Sequence, residues 1–143
     1  MNGPDVVILS GDKVRGSLVQ KVLERRGVAV RLFRSYSAAG DSFSKHIPEV
    51  IVFDAKSFFV TEASLPVKIQ QSLPDTTLVV LADASIFPTL EDHGIGQEFC
   101  FADPLDLELI ADKVQEAATS NRRSHVPQKR QLINDLKRLL KLA

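Results

Sequence analysis

Apolar runs separated by polar turns mark the strands of this chain. Residues 5–9, 48–55 and 77–81 each contain four consecutive apolar residues, which is typical of strands buried on both faces of a parallel sheet. Residues 28–36 alternate between apolar and polar positions and therefore predict an edge strand. Residues 98–102 predict a short last strand with the sequence Phe-Cys-Phe at its centre.

Helical periodicity is clearest before the second strand and after the last one. Residues 13–26 carry apolar side chains every three or four positions, and Gly27 is placed to end that helix. Asp106 is placed to cap a final helix over residues 107–118. The positions predicted to face the core are Val14, Leu18, Val19, Val22 and Leu23 in the first of these helices, and Leu109, Ile110, Val114 and Ala117 in the last.

The alternation of strands with helices defines the predicted fold class. Residues 37–47, 66–73 and 86–93 predict three shorter helices, the second of them begun by its proline. Five strands alternating with five helices predict an α/β fold with a five-stranded parallel sheet and helices on both faces. Short connections and right-handed crossovers favour the flavodoxin-like strand order 2-1-3-4-5, followed here by an extra C-terminal helix.

This strand order brings the polar residues at the carboxyl ends of the strands into one crevice. Ligands of open parallel sheets bind at that edge. Four carboxylates are predicted there, and Asp12 with Asp54 would be the ligands of a divalent cation if one binds. The alternative interpretation is a wet, partly protonated crevice that holds no metal. The acidic set is Asp12, Asp54, Asp83 and Asp103.

Composition narrows the classes of function. The 143 residues contain 18 basic and 18 acidic side chains, so no overall field attracts nucleic acid or an anionic membrane. A single cysteine and the lack of an apolar segment of membrane-spanning length predict a cytoplasmic protein. The sequence contains no Gly-rich phosphate loop, nucleophile elbow or metalloprotease motif. We therefore expect a protein that is not an enzyme and needs no cofactor.

The framework of residues 5–119 resembles the receiver domains of two-component response regulators. The run Pro-Glu-Val-Ile-Val-Phe before Asp54 is similar to the strand that precedes the family's phosphoacceptor aspartate, and residues 96–104 match the spacing of its last conserved loop. The resemblance implies that Asp54 occupies the phosphoacceptor position. It also implies a histidine kinase as a partner and a magnesium ion as a cofactor, if the chemistry is retained.

The family's remaining catalytic positions are changed in this sequence. Ser10 and Gly11 stand where the resemblance implies a metal-binding acidic pair, Ala82 where it implies a threonine or serine, and Asp103 where it implies a lysine. Cys100 stands at the position of the aromatic switch residue, and we predict it to be a buried thiol without a redox role. The sequence therefore predicts a degenerate receiver that acts through protein–protein interaction, independently of phosphorylation. The alternative is a response regulator that accepts a phosphoryl group on Asp54.

An extension follows the predicted receiver-like domain of residues 1–119. Residues 120–127 are polar and predict a linker, and residues 128–143 predict an amphipathic helix. Its leucines could fold back on the domain, or they could pair with another copy or a partner protein. Its basic residues would permit a third role at a membrane or nucleic acid, which the neutral net charge disfavours. The predicted interaction residues are Leu132, Leu136, Leu139 and Leu140.

Overall fold

Five parallel strands form a single sheet in a computed structural model that describes residues 5–123 and 139–140. The strand order is β2-β1-β3-β4-β5, which confirms the predicted fold class and places β2 and β5 at the edges. The strands are β1 (Val6–Leu9), β2 (Val30–Phe33), β3 (Val50–Asp54), β4 (Thr77–Leu81) and β5 (Cys100–Phe101).

The continuous apolar runs of the sequence become strands with both faces buried. Val6, Val7, Ile8 and Leu9 of β1 are at most 1% exposed, and the residues of β3 are buried in the same way. Because successive side chains of a strand point to opposite faces, alternate residues of each strand enter two separate apolar clusters. Strand β2 is half-buried along its whole length, which agrees with the predicted edge position.

Within residues 5–123, five α-helices cover the two faces of the sheet. The cluster on one face contains residues of α1 and α5, and the cluster on the other contains residues of α2, α3 and α4. Gly27 has a φ of 80°, which confirms the predicted end of the first helix. The helices are α1 (Lys13–Arg25), α2 (Tyr36–Phe43), α3 (Ser64–Ser72), α4 (Phe87–Asp92) and α5 (Leu107–Arg123).

The buried face of α1 differs from the predicted one. Val14 is 67% exposed and Leu18 is 46% exposed, whereas Gly16, Val19, Val22 and Leu23 are buried. A Cβ atom at Gly16 would lie 3.2 Å from the Leu32 side chain and 3.2 Å from Ser10 Cβ. The helix therefore approaches the sheet most closely at Gly16, which a pattern of apolar side chains does not include. As a result, the buried stripe is rotated away from Val14 and Leu18.

Several element boundaries also differ from the prediction: β2 (Val30–Phe33) is shorter than the predicted 28–36, and α2 ends at Phe43 and not at Ile47. Helix α3 begins at Ser64, two residues before Pro66, because proline is accepted anywhere in a first turn. Residues Gln97–Phe99 form a 3₁₀ turn, so the last strand is shorter than predicted. Helix α5 continues to Arg123, so the predicted domain end at residue 119 falls inside it.

Leu109, predicted to face inward from α5, is 42% exposed.

Two leucines of the C-terminal extension pack on the domain itself. Leu140 is 1% exposed and belongs to the apolar cluster on the α2–α4 face, and Leu139 packs against that cluster. Leu132 and Leu136 lie outside the described residues. For Leu139 and Leu140, this packing agrees with the interpretation that the extension folds back. No helix in the part of the chain that the structure describes is long and apolar enough to cross a membrane.

Candidate functional site

Asp54 ends β3 at the carboxyl edge of the sheet and is fully buried. Its carboxylate has 0% exposure, and the Ser10 hydroxyl donates a hydrogen bond to Asp54 Oδ2 at 2.9 Å. Ser10 follows β1, which pairs with β3 in the sheet, so neighbouring strand ends bring the two residues together. A buried carboxylate is stable only when hydrogen bonds or opposite charges compensate it.

Arg15 supplies the charge that compensates Asp54. Its Nε atom donates to Asp54 Oδ2 at 3.0 Å and its Nη2 atom donates to Asp54 Oδ1 at 3.1 Å, so one guanidinium binds both carboxylate oxygens. The Arg15 side chain is only 18% exposed. Burial opposes its charge, but the hydrogen bonds to Asp54 and Asp103 outweigh burial and raise the pKa of Arg15. The pair is a bidentate, largely desolvated ion pair.

Lys56 is the second cation at this edge of the sheet, and it contacts the loops that follow β4 and β5. Arg15 Nη1 donates to Asp103 Oδ1 at 2.5 Å, and Lys56 Nζ donates to Asp103 Oδ2 at 2.9 Å. Lys56 also lies 3.8 Å from Asp83 Oδ1. The hydrogen bond with Lys56, followed by that with Arg15, lowers the pKa of Asp103, and the hydrogen bond with Asp103 raises the pKa of Lys56. The four charges connect three loops at the sheet edge.

Asp12 has a structural partner of its own. Asp12 Oδ1 accepts hydrogen bonds from the backbone N–H groups of Val14 at 2.8 Å and Arg15 at 3.0 Å. It is therefore the N-cap residue of α1. The cap also fixes the first turn of the helix that carries Arg15, so Asp12 positions the cation that binds Asp54.

The loop after β3 closes over the start of α1. The Gly11 N–H group donates to Ser57 Oγ at 2.8 Å, and the Ser57 hydroxyl donates to the carbonyl oxygen of Asp54 at 2.7 Å. A Cβ atom at Gly11 would lie 3.1 Å from the Phe58 ring, so a larger residue would push this loop away. An open cleft of about 540 Å³ remains above the loop, lined by Gly11, Asp12, Arg15, Lys56, Ser57, Phe59 and Asp103.

The predicted acidic crevice is therefore a network of paired charges. Asp54 and Asp103 share Arg15, and Asp83 lies beside Lys56. The interpretation as a partly protonated crevice does not hold for Asp103, because its two cationic partners lower its pKa. In the described ranges, 5–123 and 139–140, no three His, Cys, Asp or Glu side chains are arranged to hold a metal ion.

Sequence reasoning missed both cations of the site. Arg15 follows Asp12 by three residues in the first turn of α1, and Lys56 follows Asp54 by two. Each was within reach of the predicted crevice by spacing alone. The signal was obscured because the resemblance directs attention to a lysine at position 103, and an arginine in a helix is usually a solvated surface residue.

Ala82 and Cys100, the two remaining positions at which the chain departs from the receiver pattern, are buried and carry no charge. Ala82 is 2% exposed and its N–H group donates to the Phe101 carbonyl at 3.0 Å. Cys100 is 8% exposed, which confirms the predicted buried thiol. Burial raises the pKa of Cys100 to about 11, which favours the protonated, weakly nucleophilic thiol at neutral pH.

Solved structures identify the class of fold. No protein-family model and no curated protein sequence matches this chain. A signal receiver domain from Pseudomonas fluorescens has a TM-score of 0.71 at 15% identity, over 88% of this chain and 96% of its own. A CheY-like receiver domain protein from Methanospirillum hungatei has a TM-score of 0.70 at 13% identity, over 86% of this chain and 99% of its own.

A third similar structure is the beryllofluoride-activated receiver domain dimer of NtrC4. Its TM-score is 0.66 at 16% identity, over 81% of this chain and 97% of that one. These similarities extend over nearly the whole length of each receiver domain, and the strand order agrees with the predicted one. The chain therefore has the fold of a response-regulator receiver domain.

Proposed function

We propose that this protein is a receiver-like signal-transduction module that acts through protein–protein interaction and independently of phosphorylation. The observation that carries the proposal is the binding of both Asp54 carboxylate oxygens by Arg15, with Ser10 donating to one of them. A phosphoacceptor needs a carboxylate oxygen that can attack a phosphorus atom. In this protein both oxygens already have cationic partners and the carboxylate has no exposed surface.

The charges around Asp54 also oppose phosphoryl transfer. Such a reaction depends on cationic groups placed where negative charge accumulates. Arg15 and Lys56 are both bound to the Asp103 carboxylate, which stands where the resemblance implies a lysine. A phosphoryl group on Asp54 would have to displace Arg15 and would meet the negative charge of Asp103.

The donor set does not fit the magnesium ion that the resemblance implies. Magnesium requires about six oxygen ligands in octahedral geometry and usually takes one or two from carboxylates. The Asp54 oxygens face a guanidinium, and Asp12 Oδ1 accepts two backbone N–H groups. We infer that the Arg15 guanidinium replaces the metal ion as the charge that neutralises Asp54.

The partner of such a module is a protein. The NtrC4 receiver domain is a dimer in its solved structure, and self-association is one route by which this chain would act. A histidine kinase that binds the domain without transferring phosphate is another. We propose β5 and α5 as one interaction surface and the C-terminal extension, whose Leu139 and Leu140 pack on the opposite face of the sheet, as a second. We propose no enzymatic activity of the chain's own.

The intact mass of the protein after incubation with magnesium and acetyl phosphate tests this proposal. We expect no phosphoryl adduct on the wild-type chain, as on the matched control Asp54→Asn. An active receiver domain in the same buffer serves as the positive control and must gain one phosphoryl group. A phosphoryl adduct on the wild-type chain that Asp54→Asn abolishes would show that the site is functional and that the alternative, a phosphorylatable response regulator, is correct.

A further inference from the structure

The C-terminal leucines lie in the apolar interior of the domain on one face of the sheet. Leu140 is 1% exposed and shares a cluster with Phe43 of α2, Ile69 of α3 and Leu90 of α4, and Leu139 packs against that cluster. Leu140 follows the described end of α5 at Arg123 by 17 positions in the sequence (140 − 123). The α2–α4 face therefore has an apolar docking surface that this chain fills from a distant part of its own sequence.

We infer that this docking surface recognises the C-terminal segment, residues 128–143, as a ligand, and that the segment of a second copy can occupy it in place of the chain's own. This inference rests on the proposed function and deepens it by naming the surface and the occupant of self-association. It differs from the β5–α5 surface because it uses the opposite face of the sheet.

The chemistry of the segment matches the surface in two respects. Its leucines supply the apolar side chains, and two of them are seen packed on the domain. It also carries five basic residues and one acidic residue, whereas α4 presents the exposed acidic side chains Glu91 and Asp92. Opposite charges around an apolar contact favour correct docking and faster association.

The covalent connection between the C-terminal segment and the domain explains why the chain's own segment, and not that of a second copy, occupies the docking surface. A tethered ligand has an effective concentration of roughly millimolar when its linker is short and flexible. At micromolar protein concentration, the chain's own segment therefore excludes the segment of another copy. Removal of the tethered leucines from the surface should make it available in trans, which gives the inference a direct test.

The test measures binding of a fluorescently labelled peptide of residues 128–143 to the full chain by fluorescence anisotropy. The receptor is the variant Leu139→Asp/Leu140→Asp, whose own segment can no longer enter the apolar surface. We expect this variant to bind the peptide at least about tenfold more tightly than the wild-type chain does, because no tethered competitor remains. A peptide with the same two aspartate substitutions is the matched control and should not bind.

A second receptor keeps the test decisive if the aspartate variant does not fold. Leu139→Ala/Leu140→Ala removes the apolar contacts without introducing charge, and circular dichroism verifies its secondary structure. Equal absence of peptide binding to a folded variant and to the wild-type chain would overturn the inference. That result would leave the phosphorylation experiment untouched, since a mass adduct on Asp54 is measured independently of the peptide.

Discussion

Arg15 is the residue on which the candidate site depends. It binds a carboxylate with no exposure to solvent through two hydrogen bonds. Replacing one partner of a buried ion pair is costly because the other charge is left in a medium of low polarity. The ion pair therefore holds the start of α1, the end of β3 and the loop after β5 together.

Replacement of Arg15 should reduce stability more than loss of a surface ion pair does. We expect Arg15→Met to lower the free energy of unfolding by about 3 kcal/mol or more, because Asp54 would be buried without its partner. Asp54→Asn in the same chain removes that uncompensated charge, so the double variant should recover a large part of the loss. Equilibrium unfolding in urea measures all three variants.

Arg26 offers a matched control for the Arg15 experiment. It also binds two carboxylates, those of Glu108 and Asp112, but these are 69% and 59% exposed. Solvent screens such pairs, so Arg26→Met should lose less stability than Arg15→Met. Equal losses for the two arginines, or purely additive losses in Arg15→Met/Asp54→Asn, would contradict the assignment of Arg15 as the buried counter-ion of Asp54.

At the scale of elements, the first turn of α1 contains both the cap of the helix and the arginine that binds Asp54. Its N-cap residue Asp12 accepts two backbone hydrogen bonds, and the second of these comes from Arg15. The close approach of Gly16 to Leu32 and Ser10 then fixes how the helix lies on the sheet. The position of the guanidinium relative to Asp54 follows from these two constraints on the helix.

Substitutions at Asp12 separate its capping role from its charge. Asp12→Ala should lower the free energy of unfolding by about 1 kcal/mol, because a helix N-cap is lost. Asp12→Asn keeps a capping oxygen and should remain close to the wild type in urea unfolding. If Asp12→Asn were as unstable as Asp12→Ala, the carboxylate charge and not the cap would be the important feature.

The whole molecule is a receiver fold with an added apolar contact from its C-terminus. The sheet carries a buried cluster on each face, and the cluster on the α2–α4 face includes Leu140. A residue so far along the chain can contribute to the core only if the extension returns to the domain. The contribution of that contact is measurable as stability.

Truncation of Leu140 measures how firmly the extension is packed. We expect Leu140→Ala to lower the free energy of unfolding by about 2–5 kcal/mol, the range for a fully buried leucine. Leu109→Ala is the matched control, because Leu109 is 42% exposed and should change stability by less than about 1 kcal/mol. If both variants unfold at the wild-type urea concentration, Leu140 does not pack in solution as the structure shows.

The sequence by itself determined the fold, because the relevant signals are local. Four-residue apolar runs need only their own side chains to be recognised as buried strands, and Gly27 ends α1 through its own backbone freedom. Periodicity was less reliable at Leu109, and at Val14 and Leu18 it could not identify Gly16 as the point of closest packing. The carboxylates at the strand ends were found in the same local way.

Only the tertiary structure decided what surrounds those carboxylates. Arg15 is 39 positions from Asp54 and 88 from Asp103 in the sequence, so the spacing that places Arg15 near the crevice does not identify the carboxylates that it binds. Charges pair according to distance in space, and that distance depends on how α1 packs through Gly16 and how the loops close. The return of Leu140 to the core has the same origin. A local pattern identifies an amphipathic segment, but the surface that the segment covers exists only after the chain has folded.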